Sequence, residues 1–428
     1  MSSSVAVTNN GFRKILVNGV GPVATIAIAQ LFGTALWFSA NSTAAELMHA
    51  WGATEADIGW LTSAVQLGFI LGTLGISLSG AADRFRASTI FVYSAIAGSL
   101  CNLCFAWLSD GLISGALFRF CVGICLAGIY PVGMKLIVGW APDRAGLALA
   151  QLVAMLTLGT ALPHAIRIVG EGFPWQLIIT ASSLLALFGA GLISLLGDGP
   201  HAKGKPQDDT HLPAVVRPTS LMHRFRHRSS STLRAFRINE FRAAALGYFG
   251  HMWELYAFWT VVPLIVSRTS LASNFPQLGV SGLSFCVIGV GALGSILGGM
   301  LSQRLGSAKV ALGSLVISGG CGLVFVLGWQ DLPIIALLVL LIVWGASVVA
   351  DSPQFSALSA KACPPESVGS ALAIQNGIGF AITVVSISAT TSLIELIGLD
   401  AIWLLLPGPV LGFIGFTMST RRACQTEI

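Results

Sequence analysis

Long apolar runs of about twenty residues recur along the whole of this chain and leave its backbone few options. A helix rises about 1.5 Å per residue, so about 20 such residues cross a bilayer core of about 30 Å. Inside lipid every backbone N–H and C=O must be satisfied by the protein itself, which favours helices. Twelve runs can be marked: 21–46, 57–80, 88–108, 111–138, 146–168 and 174–196, then 242–268, 280–302, 308–329, 332–358, 367–390 and 398–420. Charged residues make up 10% of the chain, against about 25% in soluble domains. That is too little charge to cover a water-facing surface. The prediction is an all-α integral membrane protein with twelve transmembrane helices.

The formal net charge of +5 is patterned for a membrane and not for a nucleic acid. With an even number of spans, both termini and the polar stretch between the two sets share one side. Twenty of the 23 Lys and Arg residues then fall on that side, and only Arg119, Arg167 and Arg268 fall elsewhere. By the positive-inside rule that side is cytoplasmic. The predicted organisation is a cytoplasmic tail (1–20), a six-helix bundle (21–196), a cytoplasmic linker (197–241), a second six-helix bundle (242–420) and a short tail (421–428). The first run is too long for a signal-peptide core and is read as a retained span. Within the linker, Arg224-Phe-Arg226-His-Arg228 fits an amphipathic helix on anionic lipid, but a solvated connection accounts for it as well and is preferred. Most of the eight cysteines lie inside apolar runs, where no disulfide framework is expected. The Cys101-x-x-Cys104 spacing suits a soft metal, yet small residues at helix contacts explain it more simply, so no metal site is predicted.

The two sets of six runs resemble each other. Phe32-Gly33 corresponds to Phe249-Gly250, Asp83-Arg84 to Gln303-Arg304, and Gly123, Pro131 and Pro142 to Gly345, Pro353 and Pro364. The offset drifts only from 217 to 222 residues, as in an internal duplication. After the second run of the second half comes Gly299-x-x-x-Gln303-Arg304-x-Gly306, and the first-half copy keeps Asp83 and Arg84. Both resemble the turn after the second span of the major facilitator superfamily. Arg119-x-x-x-Gly123 resembles that family's fourth-span pattern. The fifth run has Gly159-Thr-Ala-Leu-Pro163-His164 where drug/proton antiporters of the family often carry Gly-Pro and Gly-Gly, which lowers a drug-efflux reading. The resemblance covers about 21–420. It implies two pseudo-symmetric six-helix bundles, alternating access, and a central cavity lined by spans one, four, seven and ten.

Ionisable residues inside such runs cost at least about 2.5 kcal/mol to insert, so they face a cavity or a partner. Arg119, His251, Glu254 and Asp351 are the candidates, in runs four, seven, seven and ten. Counted along their helices, Arg119 and Glu254 each lie about 12 Å from the outer surface, so the two are expected to meet between the halves. Glu254 is the expected proton-coupling carboxylate, with Arg119 as its charge partner or an anion contact. His251, one helical turn before Glu254, extends the proton path or contacts substrate. A structural ion pair and a satisfied histidine are the bland alternatives. Asp351, before Pro353, is expected at a cytoplasmic gate with Asp83, Arg84, Gln303 and Arg304, or as a helix cap. Gln30, Thr34, Trp37 and Asn41 form one stripe if the first run is a continuous helix. With Tyr130, Tyr248 and Trp253 they are candidate cavity-lining residues, and Tyr256 and Trp259 add rings that suit a planar or amphipathic solute. His164 and Arg167 share a face near the outer end of run five, where Arg167 snorkels to the interface.

No Ser-His-Asp set, phosphate-binding loop with Lys, or metal-spaced His/Cys cluster is present, so neither an enzyme nor a cofactor is predicted. The expected partners are the lipid bilayer and a small-molecule or ion substrate with protons, the chain acting as a monomer. The expected setting is a bacterial inner membrane or one derived from it. The function implied is proton-coupled secondary transport. Efflux of amphipathic compounds, iron-related transport in a specialised membrane such as a magnetosome, and a non-transporting sensor on the same scaffold remain open.

Overall fold

The computed structural model describes residues 13–201, 235–363 and 368–426, and its described regular structure is helical. Nine described helices are long and apolar enough to cross a membrane. The last of them, Ala371–Thr420, holds two passes, because the 3-10 segment Gly398–Leu405 turns the chain between Val368–Ile397 and Pro407–Thr426. Two further spans escape that criterion: Pro22–Thr34 is short, and Asn239–Arg268 is less apolar because it carries His251, Glu254 and several Trp and Tyr rings. The twelve spans are therefore Pro22–Thr34, Glu55–Ser79, Ala87–Leu108, Leu112–Trp140, Ala145–Val169 and Trp175–Leu196, then Asn239–Arg268, Gly279–Leu305, Ser307–Gly328, Ile334–Ala362, Val368–Ile397 and Pro407–Thr426. Large apolar side chains such as Ile113 and Val169, both 89% exposed, point outward to where lipid would lie.

The duplication is visible in the packing. Gly123 on the fourth span lies against the Val65 carbonyl of the second, and Gly345 on the tenth lies against the Val287 carbonyl of the eighth. Both pairs are separated by the same 222 residues. A Cβ at either glycine would overlap the facing backbone, so only glycine allows this approach. The fourth span breaks at Ala127–Ile129 and resumes with Pro131 in its first turn. The tenth breaks at Asp351 and resumes with Pro353 in its first turn. Proline lacks the N–H that a continuous helix would use there, so both copies bend at the same place. The halves meet along two seams, the second span on the eleventh and the fifth on the eighth.

One expected element is corrected. The first run is not a continuous helix over 21–46: it leaves helical geometry after Thr34 and returns as a 3-10 turn, Asn41–Thr43, and a short helix, Ala44–Trp51. The stripe Gln30, Thr34, Trp37 and Asn41 therefore does not share one face. The cause is Arg119, whose guanidinium donates to Leu36 O at 2.9 Å and to Trp37 O. It supplies the donors that a continued helix would have supplied. The linker is described only to His201 and again from Ala235, so the Arg224–Arg228 segment lies outside the described residues.

Candidate functional site

Between the halves lies a cavity of about 560 Å³. Its wall carries six aromatic rings: Phe69 and Tyr130 from the first half, and Tyr248, Tyr256, Trp259 and Phe380 from the second. Thr73, Thr157, Ser352, Ser356 and Asn376 add polar groups, and Lys135 and Gly80 mark the end nearest the linker and termini. At the opposite end the rings close ranks. Trp37 stacks on Phe380 with centroids 5.9 Å apart, Phe69 meets Phe380 at 4.4 Å, and Phe38 meets Trp259 edge-on at 6.0 Å.

Beyond that ring cluster the two halves are tied together. Arg268 on the seventh span pairs with Glu55 at the start of the second, at 2.6 Å, and reaches Ile394 O. Glu395 accepts from the Ala56 N–H at 2.8 Å, a carboxylate at a helix N-terminus. Ser63 and Ser388 are 3.0 Å apart between hydroxyl oxygens, and Gly59 leaves room for Thr391. The cavity is thus sealed on the side away from the linker and open toward the linker.

The charged residues singled out in the sequence are not where a shared site would need them. Arg119 turns into the first half, donating to Ser39 Oγ at 3.1 Å and Asn102 Oδ1 at 3.0 Å besides the two carbonyls, with the Phe105 ring beneath it. Glu254 turns into the second half and accepts from Trp344 Nε1 at 2.7 Å and Ser318 Oγ at 2.9 Å. The expected Arg119–Glu254 pair is not formed. Asp351 holds the N-cap position of the helix after the break without a side-chain cap bond, and its Oδ1 lies 2.8 Å from His251 Nδ1, both side chains being buried, with a bent geometry short of an aligned hydrogen bond. Arg84, Gln303 and Arg304 are exposed, and the side chain of Asp83 lies outside the described residues, so no closed gate of these residues is seen.

Of the candidate lining residues, Tyr130 and Tyr248 are on the cavity wall, and Trp37 backs it. The others lie elsewhere. Gln30 packs beside Gly133 inside the first half, Asn41 donates to Thr62 Oγ1 at 2.9 Å, and Trp253 donates to Leu404 O at 2.7 Å beside the twelfth span. His164 is buried, while Arg167 pairs with Glu46 and donates to Phe173 O. Cys101 meets Cys121 and Cys125 across spans three and four, not Cys104. Sequence reasoning missed Glu55, Glu395, Ser63 and Ser388. A signal existed for Arg268, one of three basic residues on the wrong side of the charge pattern.

A model of the Major Facilitator Superfamily matches residues 26–386. The chain belongs to that superfamily. It is 30% identical over 153 residues to the niacin transporter NiaP of Acinetobacter baylyi, which is 33% of this chain and 32% of that one. It is 23% identical over 277 residues to the uncharacterized MFS-type transporter YceJ of Bacillus subtilis, 61% of each. The chain therefore matches from a third to three fifths of these relatives' length. Among solved structures, a bacterial homologue of the human lysosomal transporter Spinster, in an inward-facing and unoccupied conformation, superposes with a TM-score of 0.60 at 15% identity. That match covers 93% of this chain and 94% of the homologue, and it carries the superfamily fold.

Proposed function

We propose that this superfamily member is a proton-coupled secondary transporter of small planar organic solutes, working by alternating access in a bacterial inner membrane with both termini cytoplasmic. The observation that carries the reading is the ring-lined cavity between the halves, open toward the linker and sealed on the opposite side. Rings on both halves offer faces to a planar solute. Trp259, whose ring is on that wall, has a buried Nε1 with no hydrogen-bond partner among the described residues, a donor that a solute acceptor atom could take once the ring shifts. The partial likeness to a niacin transporter agrees with a small heteroaromatic solute and makes nicotinate the first compound to try. Coupling falls to Glu254, a carboxylate buried one helical face away from the cavity-lining side of the seventh span. A buried carboxylate that gains or loses a proton changes the electrostatics of the whole helix, which gives solute and proton a common element to act on.

The test is solute-driven proton movement in proteoliposomes with an internal pH dye. Wild type and Glu254→Gln would be compared on nicotinate, other aromatic acids, neutral heteroaromatics and amino acids. A pH change with wild type and one aromatic solute, lost in Glu254→Gln, is the expected outcome. Solute flux with no accompanying proton movement would end the coupling reading. Flux of non-planar solutes alone would end the assignment to aromatic compounds.

A further inference from the structure

Glu254 has no open route to the cavity, since both its oxygens are taken by Trp344 and Ser318 and its side chain is 1% exposed. A proton that reaches it must come through neighbours. Two are arranged for this. Asp351 lies at the break of the tenth span, between Val349 and Ser352, which both line the cavity. His251 lies on the seventh span between the cavity-lining Tyr248 and Met252, one turn before Glu254. Counted along the seventh span, His251 is about 4.5 Å nearer the open end than Glu254. Asp351 and His251 are themselves buried, but their chain neighbours form the wall, so Asp351, His251 and Glu254 follow one another from just behind the cavity wall into the second half.

Several details favour transfer over mere packing. The His251–Asp351 contact is close but bent, and His251 Nε2 is buried without a hydrogen-bond partner among the described residues. The break before Pro353 removes regular helix around Asp351, so small motions of the tenth span can uncover it. The other titratable groups around the file are Tyr248, whose ring centroid lies 6.0 Å from His251, Tyr130 across the cavity, and Cys321 on the ninth span beside Glu254. No Lys or Arg forms an ion pair with any of the three among the described residues.

We propose that Asp351 and His251 form the proton-entry station of Glu254. The inference rests on the reading of Glu254 as the proton acceptor. A proton from cavity water is taken up by the Asp351–His251 pair, one N–H or O–H bond forming as one bond in water breaks. The imidazole takes it at Nδ1 and releases a proton from Nε2, which reaches Glu254 after the ring turns or through one water, and the carboxylate becomes the acid. The imidazole is left in its other tautomer and turns over to restore the pair, and the cluster has gained one positive charge. Asp351 is a positioning and relay group, acting through His251 and not on the solute.

Trp344 donates to Glu254, so its fluorescence reports protonation of that carboxylate with no solute present. The experiment is a pH jump followed by stopped-flow tryptophan fluorescence on the full chain in lipid nanodiscs, the proton being the probe. Wild type should show a phase that is absent from Trp344→Phe and from Glu254→Gln. In Asp351→Asn and His251→Gln the same phase should persist but slow about a hundredfold, the low end of what one placed proton-transfer group contributes. Asp351→Glu, which keeps a carboxylate, should recover most of the rate and guards against a folding defect in the amide variant. An unchanged rate in both Asp351→Asn and His251→Gln would overturn the relay while leaving Glu254 as acceptor. Absence of any Glu254-dependent phase in wild type would overturn the acceptor reading and the relay together.

Discussion

Replacing Arg119 with Ala tests whether this buried cation is a brace or a ligand. Its guanidinium serves Leu36 O, Trp37 O, Ser39 Oγ and Asn102 Oδ1. Without it the Ser39 hydroxyl can donate to Asn102 Oδ1 at 3.0 Å or to Leu36 O at 3.2 Å but not to both, while Asn102 Nδ2 keeps its bond to Ser183. Trp37 O is stranded, and so is whichever of Leu36 O and Asn102 Oδ1 the single Ser39 hydroxyl proton does not serve. Each buried acceptor left without a donor costs about 1–3 kcal/mol, so the pair costs about 2–6 kcal/mol. Removing a fully buried side chain adds a cavity, and relief of the guanidinium's own desolvation offsets part of the sum. A net loss of about 4 kcal/mol is expected, large against the about 5–15 kcal/mol that holds most folded domains. Thermal unfolding in detergent, read by the monodisperse fraction on size exclusion, should fall sharply for Arg119→Ala. Arg119→Lys should recover only part, because one ammonium lacks the planar fork that spans several acceptors. An Arg119→Ala protein that melts like wild type but no longer moves solute would refute the brace.

Other expectations follow from the sealed side and the seams. Glu55→Gln breaks a pair whose side chains are 37% and 14% exposed for Arg268 and Glu55, so solvent screening limits its worth to about 1 kcal/mol. That is at most about a fivefold shift toward a state open on the sealed side, to be read as slower disulfide trapping of a Ser63→Cys, Ser388→Cys pair. The same double variant, oxidised, should stop transport until reduced, since the two oxygens it replaces are 3.0 Å apart. Gly345→Leu should abolish stable folded protein by forcing a side chain into the Val287 carbonyl, whereas Gly313→Ala, with no atom within 4 Å of the new Cβ, should express normally. Asp198, past the end of the sixth span, joins Arg86 at 2.8 Å and the Ser88 N–H at 2.8 Å. Burial pushes its carboxyl up, but those partners outweigh it and hold the group below the usual aspartate range. Because the folded value is the lower one, its stabilisation is full above the ordinary aspartate value of about 3.9 and fades as pH falls through the folded value. Asp198→Asn should therefore lower the melting temperature modestly at neutral pH and converge with wild type as pH falls through the folded value, which flattens the acid limb.

The number of spans, the shared side of the basic residues and the repeat with its matched Pro131 and Pro353 are legible in the sequence, because hydropathy and residue identity act locally along one chain, whereas the breaks at those prolines are seen in the structure. Depth is legible too, since residue count converts directly into distance along a helix axis. Arg119 and Glu254 were accordingly expected at one level, and from that level alone they were paired. What depth leaves open is rotation about the axis and the choice of half. Only the packed structure turns Arg119 onto Leu36 and Trp37, breaking the first span, and turns Glu254 onto Trp344 and Ser318. The same holds for Asp351, set beside His251 by the bend at its own break, and for Glu55 and Arg268, joined across 213 residues of sequence. Each of these contacts depends on how two helices from distant parts of the chain are rotated against each other, and that rotation is fixed by the sum of their packing surfaces.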